Sequence, residues 1–343
     1  MNSRNNTVIV GLPKTGTTGL YQSVKRAMLR KKIETVCLFE PKGLKPMESY
    51  FESELAVSGA SMLSKIMFKP VFYRSNILDS FDKKIMIVRD PRDRLLSMFL
   101  FKALSRPKQV KELIPGFISL LEKKEADPKS ISFVDMMLSV VEMGFGAFNL
   151  EGAAEQLVAQ TEFAEKQGLY VIHYEDFVSG NFDGISEYLG VEVDKNEKQS
   201  SWLKHIERSR GYGEWKNWFV QSDVDALSPI FKKPMINLGY DDDWSLLAEQ
   251  TIDPTTSSLH VKTNFERRLQ QAMSNADAEL TLERLELVKT RAEDGRLADV
   301  FDLAKFYRDG SAWNEIDKSK AKYWFEVSAA FGEGRAKAEL LKL

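Results

Sequence analysis

Lys14 lies in a short loop, Pro13-Lys14-Thr15-Gly16-Thr17-Thr18-Gly19-Leu20, between the apolar, β-branched run TVIVG and a stretch with helical spacing. A strand that enters a helix through a glycine-bearing loop turns backbone N–H groups and the positive helix end toward one point, which suits an anion. Gly11-x4-Gly16 has the span of a nucleotide phosphate loop. A magnesium-dependent loop of that kind needs Lys and then Ser or Thr directly after the second glycine. Here Thr17 and Thr18 stand in that place and the lysine comes earlier, at Lys14. The chemistry expected is transfer of a charged group neutralised by side-chain cations, with no metal.

The loop resembles the 5'-phosphosulfate loop of the sulfotransferases that use 3'-phosphoadenylyl sulfate (PAPS), P-K-[ST]-G-T-T-W-L. It departs only at Gly19, where many cytosolic members carry a Trp that flanks the adenine. Three further segments resemble the same family in the same order. In IMIVRDPRDRLLSMF, Arg89 ends a strand, Asp90 and Pro91 suit a helix cap and first helical residue, and Ser97 follows Arg89 by eight positions. The resemblance assigns Arg89, a planar cationic fork, and Ser97 to the 3'-phosphate. VIHYEDFVSGNFDGISEYLGV resembles the family's YED segment and puts Tyr174 near the adenine; the other reading of Tyr174 is a core aromatic with a satisfied hydroxyl. HIERSRGYGEWKNWF resembles the R-K-G-x-x-G-[DE]-W-K-x-x-F segment that closes over the donor. It is one residue shorter between its glycines, so Arg208 and Arg210 both stay candidates beside Gly211. Trp215 and Phe219 are expected to pack that closing segment. The resemblance runs from about Thr7 to Trp244. It implies that Pro13, Lys14, Thr15, Gly16, Thr17 and Thr18 bind PAPS, that adenosine 3',5'-bisphosphate is the product, and that no metal takes part.

Sulfuryl transfer needs an in-line nucleophile, neutralisation of the moving group and stabilisation of the leaving oxygen. Lys14 suits the last two. The acceptor hydroxyl also needs a base, and no histidine occurs before His173, whereas cytosolic relatives use one ahead of the third strand. Glu40 ends the run VCLFEPK, which resembles an [FY]-E-P segment of carbohydrate-modifying sulfotransferases. A carboxylate at the carboxyl edge of a parallel sheet faces the crevice of the phosphate loop. Glu40 is therefore the candidate base, the competing reading being a surface glutamate before a turn proline. Lys65 and Lys69, in LSKIMFKPVF, are read as lining the donor or an anionic acceptor, or as solvated. The Met- and Phe-rich stretch between Lys102 and Asn149 is read as helix core or as an acceptor-pocket wall. The acceptor expected is a hydroxyl, with a tilt toward carbohydrate. Two rivals remain: a P-loop nucleotide kinase, disfavoured by the missing GK[ST], and a non-catalytic donor-binding protein with an interaction tail.

The elements that must position these residues follow from short, β-branched runs: Thr7–Val10, Thr35–Phe39, Ile85–Val88 and Tyr170–His173. Helical patterns alternate with them over Thr18–Lys31, Arg92–Leu104, Phe133–Phe145 and Gly152–Gln167. Such alternation implies an α/β fold, a parallel sheet flanked by helices and carrying the phosphate loop. The expected division is a catalytic domain over 1–250, a linker over 251–262 (DPTTSSLHVKTN begins within it), and a small all-α helical-repeat domain over 263–343. Gly295 and Gly332 lie 37 residues apart, with Leu303 and Leu340 at the same offset, and the segment between resembles a SEL-type tetratricopeptide-like repeat. Phe306, Tyr307, Tyr323, Trp324 and Phe325 are expected in its core, and the tail suggests a protein partner.

Composition bounds the rest. The 343 residues are 43% hydrophobic, enough for a full core, and 48 Lys plus Arg against 50 Asp plus Glu leave no basic field for nucleic acid or an anionic membrane. One cysteine, Cys37, excludes an internal disulfide, and His173, His205 and His260 are dispersed, so no structural metal is expected. No apolar run reaches membrane-spanning length, and a cytoplasmic protein is expected. If the loop binds the donor, adenosine 3',5'-bisphosphate at one hundred times its Kd adds about 2.7 kcal/mol of stability, read as a rise in Tm. ATP with magnesium is expected to add none; the reverse result would favour the kinase.

Overall fold

The computed structural model describes residues 5–69, 75–194, 200, 202–203, 208–209, 211–274, 281–311 and 313–343. Five strands form one sheet: β1 (Thr7–Gly11), β2 (Thr35–Phe39), β3 (Ser61–Met67), β4 (Lys83–Val88) and β5 (Tyr170–His173), in the spatial order β2-β3-β1-β4-β5. The pairs β1–β3, β1–β4 and β2–β3 are parallel, with Ile9 opposite both Lys65 and Ile85. β1 is central and every one of its residues is buried, which is why it reads as an unbroken apolar run rather than an alternating one. The strand-like segment LSKIMFKPVF contributes β3, lying between β2 and β1; its residues 70–72 are outside the described residues.

The helices run close to the expected ranges: Thr17–Arg30, Pro91–Ser105 and Leu150–Gln167. The expected helix Phe133–Phe145 is regular only over Phe133–Val140, because Gly144 takes φ +103° and opens the final turn over Val141–Phe145.

The chain divides into two compact units, one made of Met1–Ile87, Ala164–Lys204 and Glu279–Leu343, the other of Val88–Phe163 and His205–Ala278. These limits differ from a division near residue 250. The first unit holds the C-terminal helices Leu282–Glu293, Leu297–Asp309, Lys318–Ala330 and Gly334–Leu340 together with β1, β2 and β3. Their own core is built on Phe301, Ala304, Ala321, Phe325 and Ala336, with Tyr307 and Trp324 packed against it, while Tyr323 stays exposed. Small Ala side chains let these helices approach closely. The segment expected as a linker runs into the helix Ser258–Ser274, which packs on Pro91–Ser105 within the second unit.

No single helix among the described residues is long and apolar enough to cross a membrane; Phe133–Phe145 and Leu150–Gln167 pass only as a pair, bent by 105°.

In the second unit one buried carboxylate secures two helix starts. Asp223 accepts from Phe133 N and Val134 N, both at 2.9 Å, and from Val220 N at 2.9 Å, the residue preceding its own helix, Gln221–Asn237. Helix N-termini leave such donors unsatisfied by the helix itself. Asp223→Ala leaves the buried Phe133 amide without its acceptor, and the expected loss is about 1–3 kcal/mol in urea unfolding. A loss below 1 kcal/mol would show that solvent reaches these amides instead.

Candidate functional site

In the first unit the phosphate loop starts where β1 ends. Gly11 has no room for a side chain: a Cβ would meet Thr17 Cγ2 at 2.6 Å, Thr15 Oγ1 at 2.8 Å and the Ile87 carbonyl oxygen at 2.9 Å. Thr15 is fully buried and donates to the Leu12 carbonyl at 2.9 Å, which closes the loop on itself. Gly16 takes φ +92° at the helix N-cap, with no side-chain cap on the first turn of Thr17–Arg30. The N-cap Gly16 brings no side chain to the first-turn N–H groups, and a helix start of this kind is the arrangement an oxyanion needs. Thr17 and Thr18 are buried in that turn and Lys14 is half-buried.

Tyr174 opens the helix Tyr174–Ser179 after β5, and its ring lies against Gly16, where any Cβ would collide with it. One turn on, Phe177 packs on Gly19: a Cβ there would meet the Phe177 ring at 3.0 Å. A side chain at position 19 is crowded by the Phe177 ring, which occupies the space beside the loop.

Glu40 follows β2 directly. Its amide donates to the Lys65 carbonyl at 2.9 Å, extending the β2–β3 ladder by one residue, and its Oε1 is ion-paired with Lys65 Nζ. Lys65 is only 1% exposed, and its ammonium also donates to Thr18 Oγ1 at 3.0 Å and lies 4.5 Å from the Phe39 ring centroid. Burial pushes the Lys65 pKa down while the Glu40 carboxylate works against that shift. The Glu40 side chain keeps 42% of its surface accessible. Lys14 and Glu40 are two of three described non-glycine residues at positive φ, at +71° and +46°, with Lys32 the third. Such backbone is costly for a residue bearing a Cβ and persists only where its surroundings impose it. Lys69 is exposed and described, with no interaction that ties it to this group.

In the second unit Arg89 follows β4 and is 6% exposed. Asp90 caps Pro91–Ser105 by accepting from Arg92 N at 2.8 Å, and Pro91 is the first helical residue; Ser97 is buried on that helix. Arg89 Nη2 donates to the Gly211 carbonyl at 3.3 Å. Asp93, which sequence reasoning passed over, is fully buried and accepts from Gly213 N and, at 3.0 Å, from Trp215 N. Arg89 and Asp93 therefore hold the segment 211–215 at both ends. Trp215 and Phe219 are buried, with the Arg92 guanidinium 4.1 Å from the Trp215 ring centroid. Arg208 is ion-paired with Glu214 and donates to the Thr256 carbonyl at 3.4 Å; Arg210 lies outside the described residues. The signal for Asp93 was present as a second acidic residue one turn into a helix capped by the first, but its partners lie more than a hundred residues away.

The sequence profile of the Sulfotransferase domain family matches residues 4–210. The chain belongs to this family. It is a sulfotransferase, and the family generally draws its sulfuryl group from PAPS. The match covers the motif segments at Lys14, Arg89 and Tyr174 and the start of the fourth as far as residue 210, and leaves the C-terminal helices outside it. No curated protein and no solved structure matches the chain. Among the described residues of the sulfotransferase, no three His, Cys, Asp or Glu side chains are grouped so as to hold a metal ion.

Asp93 gives the sulfotransferase a titration of its own. Burial raises its pKa to about 6, with Arg89 opposing the shift. A carboxyl whose folded pKa lies above its unfolded value adds stability below about pH 4 that is lost as pH rises through about 6. The difference is on the order of 3 kcal/mol. Urea midpoints measured from pH 4 to pH 7 are expected to show this fall, and Asp93→Asn to flatten it. An equal slope in the variant would refute the assignment.

Proposed function

We propose that this sulfotransferase moves the sulfuryl group of PAPS to a hydroxyl of a carbohydrate acceptor, with Lys14 neutralising the transferring group and Glu40 as general base. The observation that carries the reading is the Glu40–Lys65–Thr18 chain, which ties a half-exposed carboxylate to the first turn of the phosphate loop's helix. The acceptor oxygen forms a bond to sulfur as the bond from sulfur to the donor's phosphate oxygen breaks. The acceptor's proton goes to Glu40, and the electron pair leaves with adenosine 3',5'-bisphosphate. Lys14 offsets negative charge on the sulfuryl oxygens and the leaving oxygen, where preorganised charge acts most strongly. Lys65 holds Glu40 in place through Oε1.

Pro13, Thr15, Gly16, Thr17 and Thr18 are proposed for the 5'-phosphosulfate, on the uncapped helix start and the left-handed Gly16. Arg89, Ser97, Arg208, Arg210 and Gly211 are proposed for the 3'-phosphate on the strength of motif order. Tyr174 is proposed for the adenine, with Phe177 supplying the aromatic surface that Gly19 lacks. The carbohydrate acceptor rests on Phe39-Glu40-Pro41 and its likeness to the [FY]-E-P segment. For the SEL-like helices after residue 281, a protein partner is proposed from the resemblance of the segment to a tetratricopeptide-like repeat.

Transfer of labelled sulfate from PAPS to a panel of glycans tests the whole reading. Lys14→Ala is expected to lower kcat by about 10²- to 10³-fold, and Glu40→Gln by about 10²- to 10⁴-fold. Glu40→Gln is also expected to keep its thermal stabilisation by adenosine 3',5'-bisphosphate. Normal turnover by that variant on the true acceptor would remove Glu40 from the mechanism.

A further inference from the structure

β2 is an edge strand: β3 pairs with one side of it, and the other side presents unpaired backbone groups unless something covers them. The C-terminal helices cover it. The turn Asp294–Gly295, which closes the helix Leu282–Glu293, sits against the last residues of β2, and the Phe39 amide donates to the Gly295 carbonyl at 3.0 Å. Gly295 takes φ +87°, and a Cβ there would overlap the Cys37 carbonyl group and the Leu38 nitrogen. No other residue allows the approach.

Asp294 anchors this turn. It is 1% exposed; its carboxylate takes Lys25 Nζ at 2.6 Å through Oδ1 and Trp202 Nε1 at 2.8 Å through Oδ2, and its carbonyl accepts from the Tyr21 hydroxyl at 2.8 Å. Lys25 and Tyr21 belong to the helix that starts at the phosphate loop. The rings of Tyr21 and Trp202 pack edge-on against Phe39, each 5.4 Å from it. The next residue after Phe39 is Glu40.

The repeat period recurs in the docking. Gly332, 37 residues beyond Gly295, takes φ +85° at the end of Lys318–Ala330, and a Cβ there would meet Ser49 Oγ at 2.9 Å. Beside it Phe331 stacks on Tyr50 at 5.8 Å, and the Tyr50 hydroxyl donates to the Ala60 carbonyl at 2.8 Å. β3, which carries Lys65, begins at the next residue. Equivalent glycine turns thus brace the strand that ends in Glu40 and the entry to the strand that bears its ion-pair partner.

We infer that the C-terminal helical segment is a positioning part of the catalytic unit, and that Asp294 and Gly295 clamp the end of β2 so that Glu40 is held in its positive-φ conformation. The inference rests on the reading of Glu40 as base. A strained residue keeps its conformation only when contacts on all sides impose it. Here Lys65 supplies one side and the Asp294–Gly295 turn the other.

Cys37 provides an independent readout, because it is the single cysteine of the chain and lies buried in β2 under Gly295. Full-length Asp294→Asn and Gly295→Ala are compared with the parent in two measurements: the rate of Cys37 modification by a disulfide reagent under native conditions, and steady-state transfer from PAPS. The asparagine change keeps the shape of the turn and removes its charge, so it remains informative if the alanine variant does not fold. The expected result is faster Cys37 modification with kcat lowered by about 10- to 10²-fold, while the KM for PAPS and the stabilisation by adenosine 3',5'-bisphosphate stay as in the parent. Faster modification with unchanged kcat per folded molecule would reduce the clamp to a stability device and overturn the inference, as would unchanged modification in both variants. Failure of the base assignment is read elsewhere, from normal turnover of Glu40→Gln, so the two failures are distinguishable.

Discussion

A lysine ammonium enclosed in a parallel sheet has lost its water, and each such ion costs several kcal/mol unless charge and hydrogen bonds replace that water. Lys65, 1% exposed, gets its replacement from the Glu40 carboxylate, the Thr18 hydroxyl and the face of Phe39. Those partners come from the end of β2 and the first turn of the helix after β1, so one cation obliges separate elements to keep a common geometry. The backbone conformation of Glu40 is part of the same arrangement. At φ +46° the carboxylate turns back toward Lys65 while its peptide still pairs with the strand beside it. A lysine in this place is a constraint first. Its bearing on transfer chemistry follows from what it holds.

Buried carboxylates do comparable work elsewhere in the sulfotransferase, each by collecting donors from the backbone or from neighbouring side chains. Asp223 collects three amides at two helix starts, Asp93 two amides of the segment 213–215, and Asp294 one ammonium and one indole N–H. Each replaces water that a turn would otherwise require. The differences among them are electrostatic. Asp294 faces the Lys25 ammonium directly, whereas Asp93 is held by two backbone amides, and burial drives Asp93 toward its protonated form against the charge of Arg89.

Glycines mark where backbone meets backbone. Gly11 lets the loop close over β1, Gly16 turns the chain left-handed into the helix, and Gly295 brings the C-terminal helices onto β2. The first two could be read as loop glycines because strand, loop and helix are contiguous in sequence. Gly295 was legible only as half of a 37-residue spacing, which suggested a separate repeat domain. Its partner surface is the sheet of its own unit.

The phosphate loop, the apolar strands, the Asp90–Pro91 helix start and the family were all legible in the sequence. Each depends on neighbours within about one turn or one strand, where backbone preference, side-chain period and capping chemistry act. Lys65 shows where that reach ends. The sequence left it between donor, acceptor and solvent, and strand order decided the matter by placing β3 between β2 and β1, so that Lys65 meets Glu40 25 residues away. The partners of Asp93 and Asp294 were out of reach for the same reason on a longer scale: Asp93 meets Trp215 across 122 residues, and Tyr21 meets Asp294 across 273. A hydrogen bond acts over about 3 Å of space and is indifferent to distance along the chain. Local chemistry was therefore written in the sequence, and the choice of partner for each buried charge belonged to the tertiary structure.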